Sequence, residues 1–412
     1  ASLANVTLLN RTQVTQFTQS DDGVRAELLN LDDQSTRHIQ AGFMVGCDGG
    51  SSNVRKQIGA QLEGTAVIQR VQSTFIRAPQ LRSLLPGKPA WCYYSVNPDR
   101  CGTAFAIDGQ ETWLVHNHLN PDEPEFDSVD RDASIRHILG VGQNFDYSVI
   151  SKEDWVGRRL VVNKFRDRRV FICGDAAHLF TPTGGLGYNT AVEDAVNLSW
   201  KLASVLKGQA EPALLDSYER ERHPLAVRNT GYARQFADSI GLFEAVPELE
   251  DDSPEGEQAR ALASDYLNGH VRREFNIPGV TFGGRYDHSP VICSDGTAAP
   301  PDAANTYTPC ATPGGRPPHV WLPDGRSLYD TFNFEWTLLA LGDEAPDTSH
   351  FTQAALALNI DLKVVRHEQP DLLALYEAPL TLIRPDQIVA WRGHDDRQAP
   401  AVLAQALGYE KP

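Results

Sequence analysis

Two short segments of this 412-residue chain gather glycines, a carboxylate and a helix start in a combination suited to holding a polar ligand. The first is Gly46-Cys-Asp48-Gly49-Gly-Ser-Ser52-Asn-Val-Arg55. The second is Gly174-Asp175-Ala-Ala-His178-Leu-Phe-Thr-Pro182-Thr-Gly184-Gly185-Leu-Gly187-Tyr-Asn189. In the second, an acid at the end of a strand precedes a glycine-rich loop that opens a long helix. Such a loop lets backbone N–H groups approach a ligand closely, and the helix N-terminus offers partial positive charge to an anionic group. A strand-end Asp is well placed to accept hydrogen bonds from sugar-like hydroxyls. Read alone, Asp175 serves equally well as a helix cap, Gly184 to Gly187 as a packing loop, Arg55 as a solvated helix residue and His178 as a structural donor. The two segments together favour the ligand reading.

The rival is a dinucleotide fingerprint, since Gly185-Leu-Gly187 begins like G-x-G-x-x-G. It fails because the sixth position is Thr190, the loop lies well beyond its strand, and no acid closes a second strand about 20 residues later. Gly140-Val-Gly142-Gln-Asn-Phe145 fails at the same position. His116-Asn-His118 places two imidazoles on one face of a strand, but no third ligand is near, so no metal site is expected.

These residues need elements to position them. From Val6 to Val45 short apolar-polar alternations flank turn residues such as Asp21-Asp-Gly, the pattern of antiparallel strands. Val67–Ile76, Ala90–Val96, Gly102–Ile107 and Thr112–Leu119 predict a sheet of about four strands. Arg169–Cys173 is an apolar run ending in Gly174-Asp175, as a buried parallel strand would. Apolar residues at Ala191, Val192, Ala195, Leu198, Leu202 and Val205 predict a helix from Asn189 to about Leu206 with one buried stripe. Leu214–Phe243 continues in helical fashion, and the six acids between Glu248 and Glu257 predict a solvated loop. Six prolines between Thr297 and Pro318 mark a boundary. After it, strand Trp336–Leu341, helix Phe351–Leu358, strand Leu362–Val365, a hairpin of Leu380–Ile383 and Ile388–Trp391, and helix Ala401–Leu407 are compatible with a thioredoxin-like sandwich.

Composition excludes whole classes. Apolar residues are 41% and charged residues 22%, ordinary for a globular chain, and no run approaches the roughly 18 apolar residues of a membrane span. A net charge of −17 has the wrong sign for nucleic acid or an anionic membrane, so neither is an expected partner. The six cysteines include no C-x-x-C pair, which points to a reducing cytoplasm without zinc or a disulfide framework.

With these residues in view, the chain resembles the class A FAD-dependent aromatic-ring monooxygenases, within them the three-domain group similar to phenol hydroxylase. Asp48-Gly49 with Ser52 and Arg55 resembles that family's D-G-x-x-S-x-V-R motif, and Gly174-Asp175 through Asn189 resembles its G-D motif. Glu193-Asp-Ala-Val-Asn-Leu-Ser-Trp200-Lys-Leu and Tyr218-Glu-Arg-Glu-Arg-His-Pro224 are similar to the helices that follow. Pro318-His-Val-Trp321, Asp324-Gly-Arg-Ser-Leu-Tyr329 and Arg384-Pro-Asp-Gln-Ile-Val-Ala-Trp391-Arg resemble its C-terminal thioredoxin-like domain. Family members open on a strand and a G-x-G-x-x-G turn. This chain begins at Ala1 downstream of that unit, its only methionine is Met44, and it is expected to be truncated at the N-terminus.

The resemblance implies an α/β plus α+β architecture: an incomplete FAD/NAD(P)-binding Rossmann-like domain with a substrate-binding β-sheet, then the thioredoxin-like domain. Its expected divisions are 1–64 for the remainder of the FAD-binding domain, 65–150 for the substrate sheet, 151–296 for the continuation and helices, 297–318 for a linker and 319–412 for the last domain. It implies FAD as cofactor, NADH or NADPH as co-substrate, and dioxygen and a small aromatic molecule as substrates. A homodimer is expected. The implied activity is hydroxylation of a phenolic or other aromatic ring through a flavin hydroperoxide. The alternatives are a polyketide-tailoring oxygenase of the same fold or an inactive fragment. Asp48, Gly49, Arg55, Gly174, Asp175, Pro182, Gly184, Gly185, Leu186, Gly187 and Asn189 would hold the cofactor. Pro182, Tyr93 and His116 would stand at the reacting centre, the last two together with Tyr94 on the sheet that roofs the substrate.

Overall fold

A computed structural model of the chain describes residues 3–85, 87–123, 125–241, 243–344 and 346–409. Alternation does set the first elements: β1 (Thr12–Gln19), β2 (Val24–Asn30) and β3 (Thr36–Ala41) form an antiparallel meander with Val24, Ala26 and Leu28 turned inward. There follow β4 (Met44–Gly46), α1 (Asn53–Gln57), the long β5 (Leu62–Arg77), α2 (Leu81–Leu84), β6 (Cys92–Ser95), β7 (Gly102–Ala106), β8 (Thr112–His118), α3 (Arg131–Leu139) and the long β9 (Ser148–Val162). Next come β10 (Arg166–Asp167), β11 (Val170–Ile172) and β12 (His178–Leu179), and then helices α4 (Leu186–Leu206), α5 (Asp216–Gly241), α6 (Pro254–Phe275) and α7 (Pro278–Phe282).

Two sheets frame the site. In the smaller one β4 lies parallel to β11, which pairs antiparallel with β10 on its other side. The larger has six strands in the order β12-β9-β5-β8-β7-β6. Four strands were expected there. The fifth, β9, has a charged first half, Ser-Lys152-Glu-Asp154, which hid it from an alternation test. The sixth, β12, is two residues long and stitches the loop after Asp175 to the sheet through His178↔Val161 and Leu179↔Leu160. One face of the sheet is sealed by α3, where Trp113 and Val115 pack on Ile135 and Ile138.

The last unit is β13 (Trp336–Leu341), α8 (Ser349–Ala357), β14 (Leu362–His367), α9 (Pro370–Tyr376), β15 (Leu380–Ile383), β16 (Val389–Gly393) and α10 (Ala399–Ala406). Its sheet order, β14-β13-β15-β16 with β13 parallel to β14 and the rest antiparallel, is the thioredoxin-like arrangement. It shares a core with α4, where Trp200 meets Trp336 edge-on at 5.7 Å.

Three expectations require correction. The buried face of α4 is only partly the apolar one: Leu198 is buried and Leu202 and Val205 pack on the core as expected, but Val192 and Ala195 are exposed, while Thr190, Asp194, Asn197 and Lys201 are buried. The acids between Glu248 and Glu257 are not all loop. Ser253 caps α6, Pro254 occupies its first turn, and Glu255 and Glu257 favour the positive end of its dipole. The second half of the expected linker is packed rather than free, since residues 311–315 are buried and Gly314 and Gly315 exchange backbone hydrogen bonds with Val389.

Candidate functional site

A cavity of about 550 Å³ opens between the two glycine-rich segments. Asp175, Pro182, Gly185, Leu186 and Gly187 line it from the second segment, Gly50 and Ser51 from the first, and Val156 and Arg158 from β9, with Leu179, Phe180 and Tyr188 completing the wall. The backbone explains why glycines stand here. Gly184 and Gly185 both have φ +65, which carries the chain from the loop into α4 through the left-handed region. A side chain at Gly184 would also meet the Phe236 ring at 3.1 Å.

No side chain caps the N-terminus of α4, so its first amides stand free at the cavity. The Asp175 carboxylate makes no hydrogen bond or ion pair among the described residues. An uncapped helix N-terminus, an exposed acceptor and a groove with no side chain at Gly50 are a donor and acceptor set that fits the polyhydroxy chain and ring of a flavin.

Asp48 and Arg55 do a different job from contact. The Asp48 carboxylate accepts from the Ser52 hydroxyl and from the amides of Asn53 (2.7 Å) and Val54 (3.1 Å), so it ties down the start of α1 instead of facing the cavity. Arg55 is buried and donates to the carbonyls of Gly50 (2.8 Å) and Ala176 (3.2 Å), bolting the first segment to the second. Gly49 turns with φ +75, and Asn189 donates to the Gly185 carbonyl at 2.7 Å inside its own helix. Gly174, with φ +59, packs against Ala191. None of Asp48, Gly49, Arg55, Gly174, Gly184 and Asn189 lines the cavity; Gly50 and Ser51, beside them in sequence, do.

Behind the loop lies a buried polar network that sequence reading missed. Asp194 accepts from the Gly174 amide (3.1 Å), from His178 Nε2 (2.6 Å) and from Arg222 Nε (2.7 Å). Burial opposes its ionisation, but the Arg222 charge and these bonds outweigh that and hold the carboxyl below its ordinary range. On α5, next to Arg222, Glu221 accepts from Lys201 Nζ (2.6 Å), Asn197 (2.7 Å), Ser289 (2.6 Å) and both terminal nitrogens of Arg384 (2.7 and 2.9 Å). Arg384 and Asp386 form the tight turn between β15 and β16, so this cluster plugs the C-terminal unit into the cofactor unit. Within the run Tyr218 to Arg222, Tyr218 donates to the Ile172 carbonyl at 2.9 Å and Glu219 accepts the Phe165 amide at 2.7 Å.

The sheet residues separate by face. Tyr93 lies on the α3 side, its ring 5.9 Å from Trp113 and its hydroxyl accepting from the Ala90 amide, so alternation puts it on the face opposite His116. His116 is on the other face, edge-on to Phe105 (5.3 Å) and Trp155 (5.6 Å), and burial, helped by His118, pulls its pKa down to about 4. It is therefore neutral at pH 7 and part of an aromatic wall. Tyr94 shares that face, edge-on to buried His270 at 6.1 Å. Glu274, one turn after His270 on α6, lies 2.8 Å from its Nε2 and accepts the Gly184 amide at 3.0 Å. Glu274 thus spans from the cavity loop to the sheet. Glu274→Ala should leave the Gly184 amide unpartnered and cost about 1–3 kcal/mol in chemical denaturation, and Glu274→Gln should recover most of it. Equal midpoints for the two variants would contradict this role.

The comparisons with known proteins place the chain among flavoproteins. Residues 1–232 match the FAD binding domain family and residues 311–409 the aromatic-ring hydroxylase C-terminal family. The FAD-dependent monooxygenase apdD of Emericella nidulans is 30% identical over 95% of this chain and 66% of its own length. Phenol 2-monooxygenase of a Pseudomonas species is 30% identical over 92% of this chain and 67% of its own length. The rebeccamycin biosynthetic enzyme RebC, solved with reduced flavin, superposes with a TM-score of 0.85 at 33% identity, covering 96% of this chain and 74% of RebC. The chain belongs to the FAD-dependent aromatic-ring hydroxylase family. Among the described residues no helix is long and apolar enough to cross a membrane.

Proposed function

We propose that the chain acts as an FAD-dependent monooxygenase that places one oxygen atom of dioxygen on an electron-rich, phenolic ring, with NADH or NADPH as reductant. The observation that carries this reading is the cavity in which Asp175, Pro182 and the uncapped N-terminus of α4 face one space, with β12 joining that loop to an aromatic-faced sheet. Bound FAD supplies the redox and oxygen chemistry. Asp175 would accept hydrogen bonds from the ribityl hydroxyls, and Pro182 would stand against the ring. The amides of Gly185 to Gly187 would hold the pyrimidine edge, where the helix terminus would favour negative charge by about 0.3–1 kcal/mol. Phe105, His116 and Trp155 give the substrate side a low-polarity wall that excludes water.

A cytoplasmic homodimer completes the proposal. Cysteines without paired spacing support the compartment, and exposed Trp321, Phe334 and Leu356 on the C-terminal unit support the subunit contact.

The test is to supply FAD and NADH or NADPH and follow reductant consumption with and without a panel of phenols. Faster consumption with a phenol, matched by hydroxylated product, is the expected result. Consumption unaffected by every phenol, with no oxygenated product, would overturn the reading.

A further inference from the structure

We propose that Cys47 and Cys173 form a peroxide-oxidisable dithiol whose disulfide ties together the two segments of the site. β4 and β11 run parallel with Met44 opposite Val170, Val45 opposite Phe171 and Gly46 opposite Ile172. The Cys173 amide continues the ladder to the Gly46 carbonyl at 3.0 Å, so the next opposed pair is Cys47 and Cys173. Opposed residues of neighbouring strands share a face and lie about 4.8 Å apart, inside the roughly 4.4–6.8 Å Cα separation that a disulfide requires. Both are free thiols.

Their surroundings divide the labour. Cys47 is exposed, whereas Cys173 is buried with the Tyr218 hydroxyl 3.0 Å from its sulfur. The neighbouring Cys173 thiol brings Cys47 down to about 7 against burial and the carboxylates of Asp48 and Asp194, while the pairing with Cys47, then burial, pushes Cys173 up. An accessible thiolate beside a buried thiol is the arrangement of an attacking and a resolving cysteine.

The chemistry closes with hydrogen peroxide as oxidant. The Cys47 sulfur attacks one peroxide oxygen, the O–O bond breaks, and the departing hydroxide takes a proton to leave as water, giving a sulfenic acid on Cys47. The Cys173 sulfur then attacks the Cys47 sulfur, an S–S bond replaces the S–O bond, and the second hydroxide leaves as water with the Cys173 proton. Two thiols and one peroxide become one disulfide and two waters; the sulfurs lose two electrons and the peroxide gains them. The bond would link the residue before Asp48 to the residue before Gly174-Asp175, and it depends on no bound cofactor.

The full chain is treated with stoichiometric hydrogen peroxide, unfolded in N-ethylmaleimide, digested and read by mass spectrometry. A peptide joining Cys47 to Cys173, lighter by two hydrogens and released by dithiothreitol, should become the main form of both residues. In Cys173→Ser, Cys47 should be trapped as a sulfenic acid that reacts with dimedone. In Cys47→Ser, Cys173 should stay open to the maleimide. Maleimide on both residues of the oxidised wild-type chain, or Cys47 joined to a different cysteine, would overturn the proposal. The wild-type digest decides it even where a variant fails to fold.

Discussion

Asp175→Ala should weaken FAD binding by about 5- to 150-fold while leaving the melting temperature unchanged. The carboxylate is exposed and has no partner among the described residues, so its removal strands nothing inside the protein. What it leaves unpaired are the hydroxyls of the ligand, and an unsatisfied polar partner costs about 1–3 kcal/mol, which is that range of affinity. Fluorescence titration of FAD measures it, with Asp175→Asn, which keeps one acceptor oxygen, expected between the two. Equal affinity for wild type and Asp175→Ala would remove Asp175 from the site.

The second large effect belongs to Glu221. Glu221→Ala should lower the unfolding free energy by about 3–5 kcal/mol, because it abandons the charges of Lys201 and Arg384, both fully buried. Burial disfavours the Glu221 carboxylate, but the charges of Arg384 and Lys201 outweigh this and hold it well below its ordinary value of 4.5. A carboxyl depressed in the folded state stabilises above the unfolded value and loses that contribution as pH falls through the folded one. Wild-type stability should therefore decline from about pH 4.5 downward, with Asp194 adding to the slope, and the decline should be shallower in the variant. Lys201, brought down to about 8 by burial against the pull of Glu221, is charged at pH 7 and does not alter that sign. Denaturant midpoints from pH 7 to pH 4 check both points, and an unchanged midpoint at pH 7 would refute the plug between the two units.

The parts of this molecule legible in sequence are those where local chemistry decides. Trp336–Leu341 and Leu380–Ile383 are strands with the expected limits, since uninterrupted apolar runs between turn residues leave little choice. The glycines at 184 and 185 were visible because glycine favours the left-handed turn into α4. The buried face of α4 was legible only in part: Leu198, Leu202 and Val205 face the core as expected, but its polar members were hidden. Asp194, Asn197 and Lys201 are inside only because Arg222, Glu221 and Arg384 arrive from distant parts of the chain, while Val192 and Ala195, which look like core, remain exposed. Helix α6 was missed for a related reason: its charged residues hide an ordinary signal, a Ser253 cap followed by Pro254. Asp48 shows the limit of a motif. The spacing to Ser52 and Arg55 marked the loop correctly, yet the carboxylate serves the backbone of α1, and the cavity contact passes to Gly50 and Ser51.

The central claim is that the cleft between residues 48–55 and 174–189 is the flavin site. A crystal structure of the chain grown or soaked with FAD tests it most directly. The account predicts isoalloxazine density against Pro182, its pyrimidine edge on the amides of Gly185 to Gly187 and a ribityl hydroxyl within hydrogen-bond distance of Asp175. Flavin density anywhere else, or none in this cleft at saturating FAD, would contradict it.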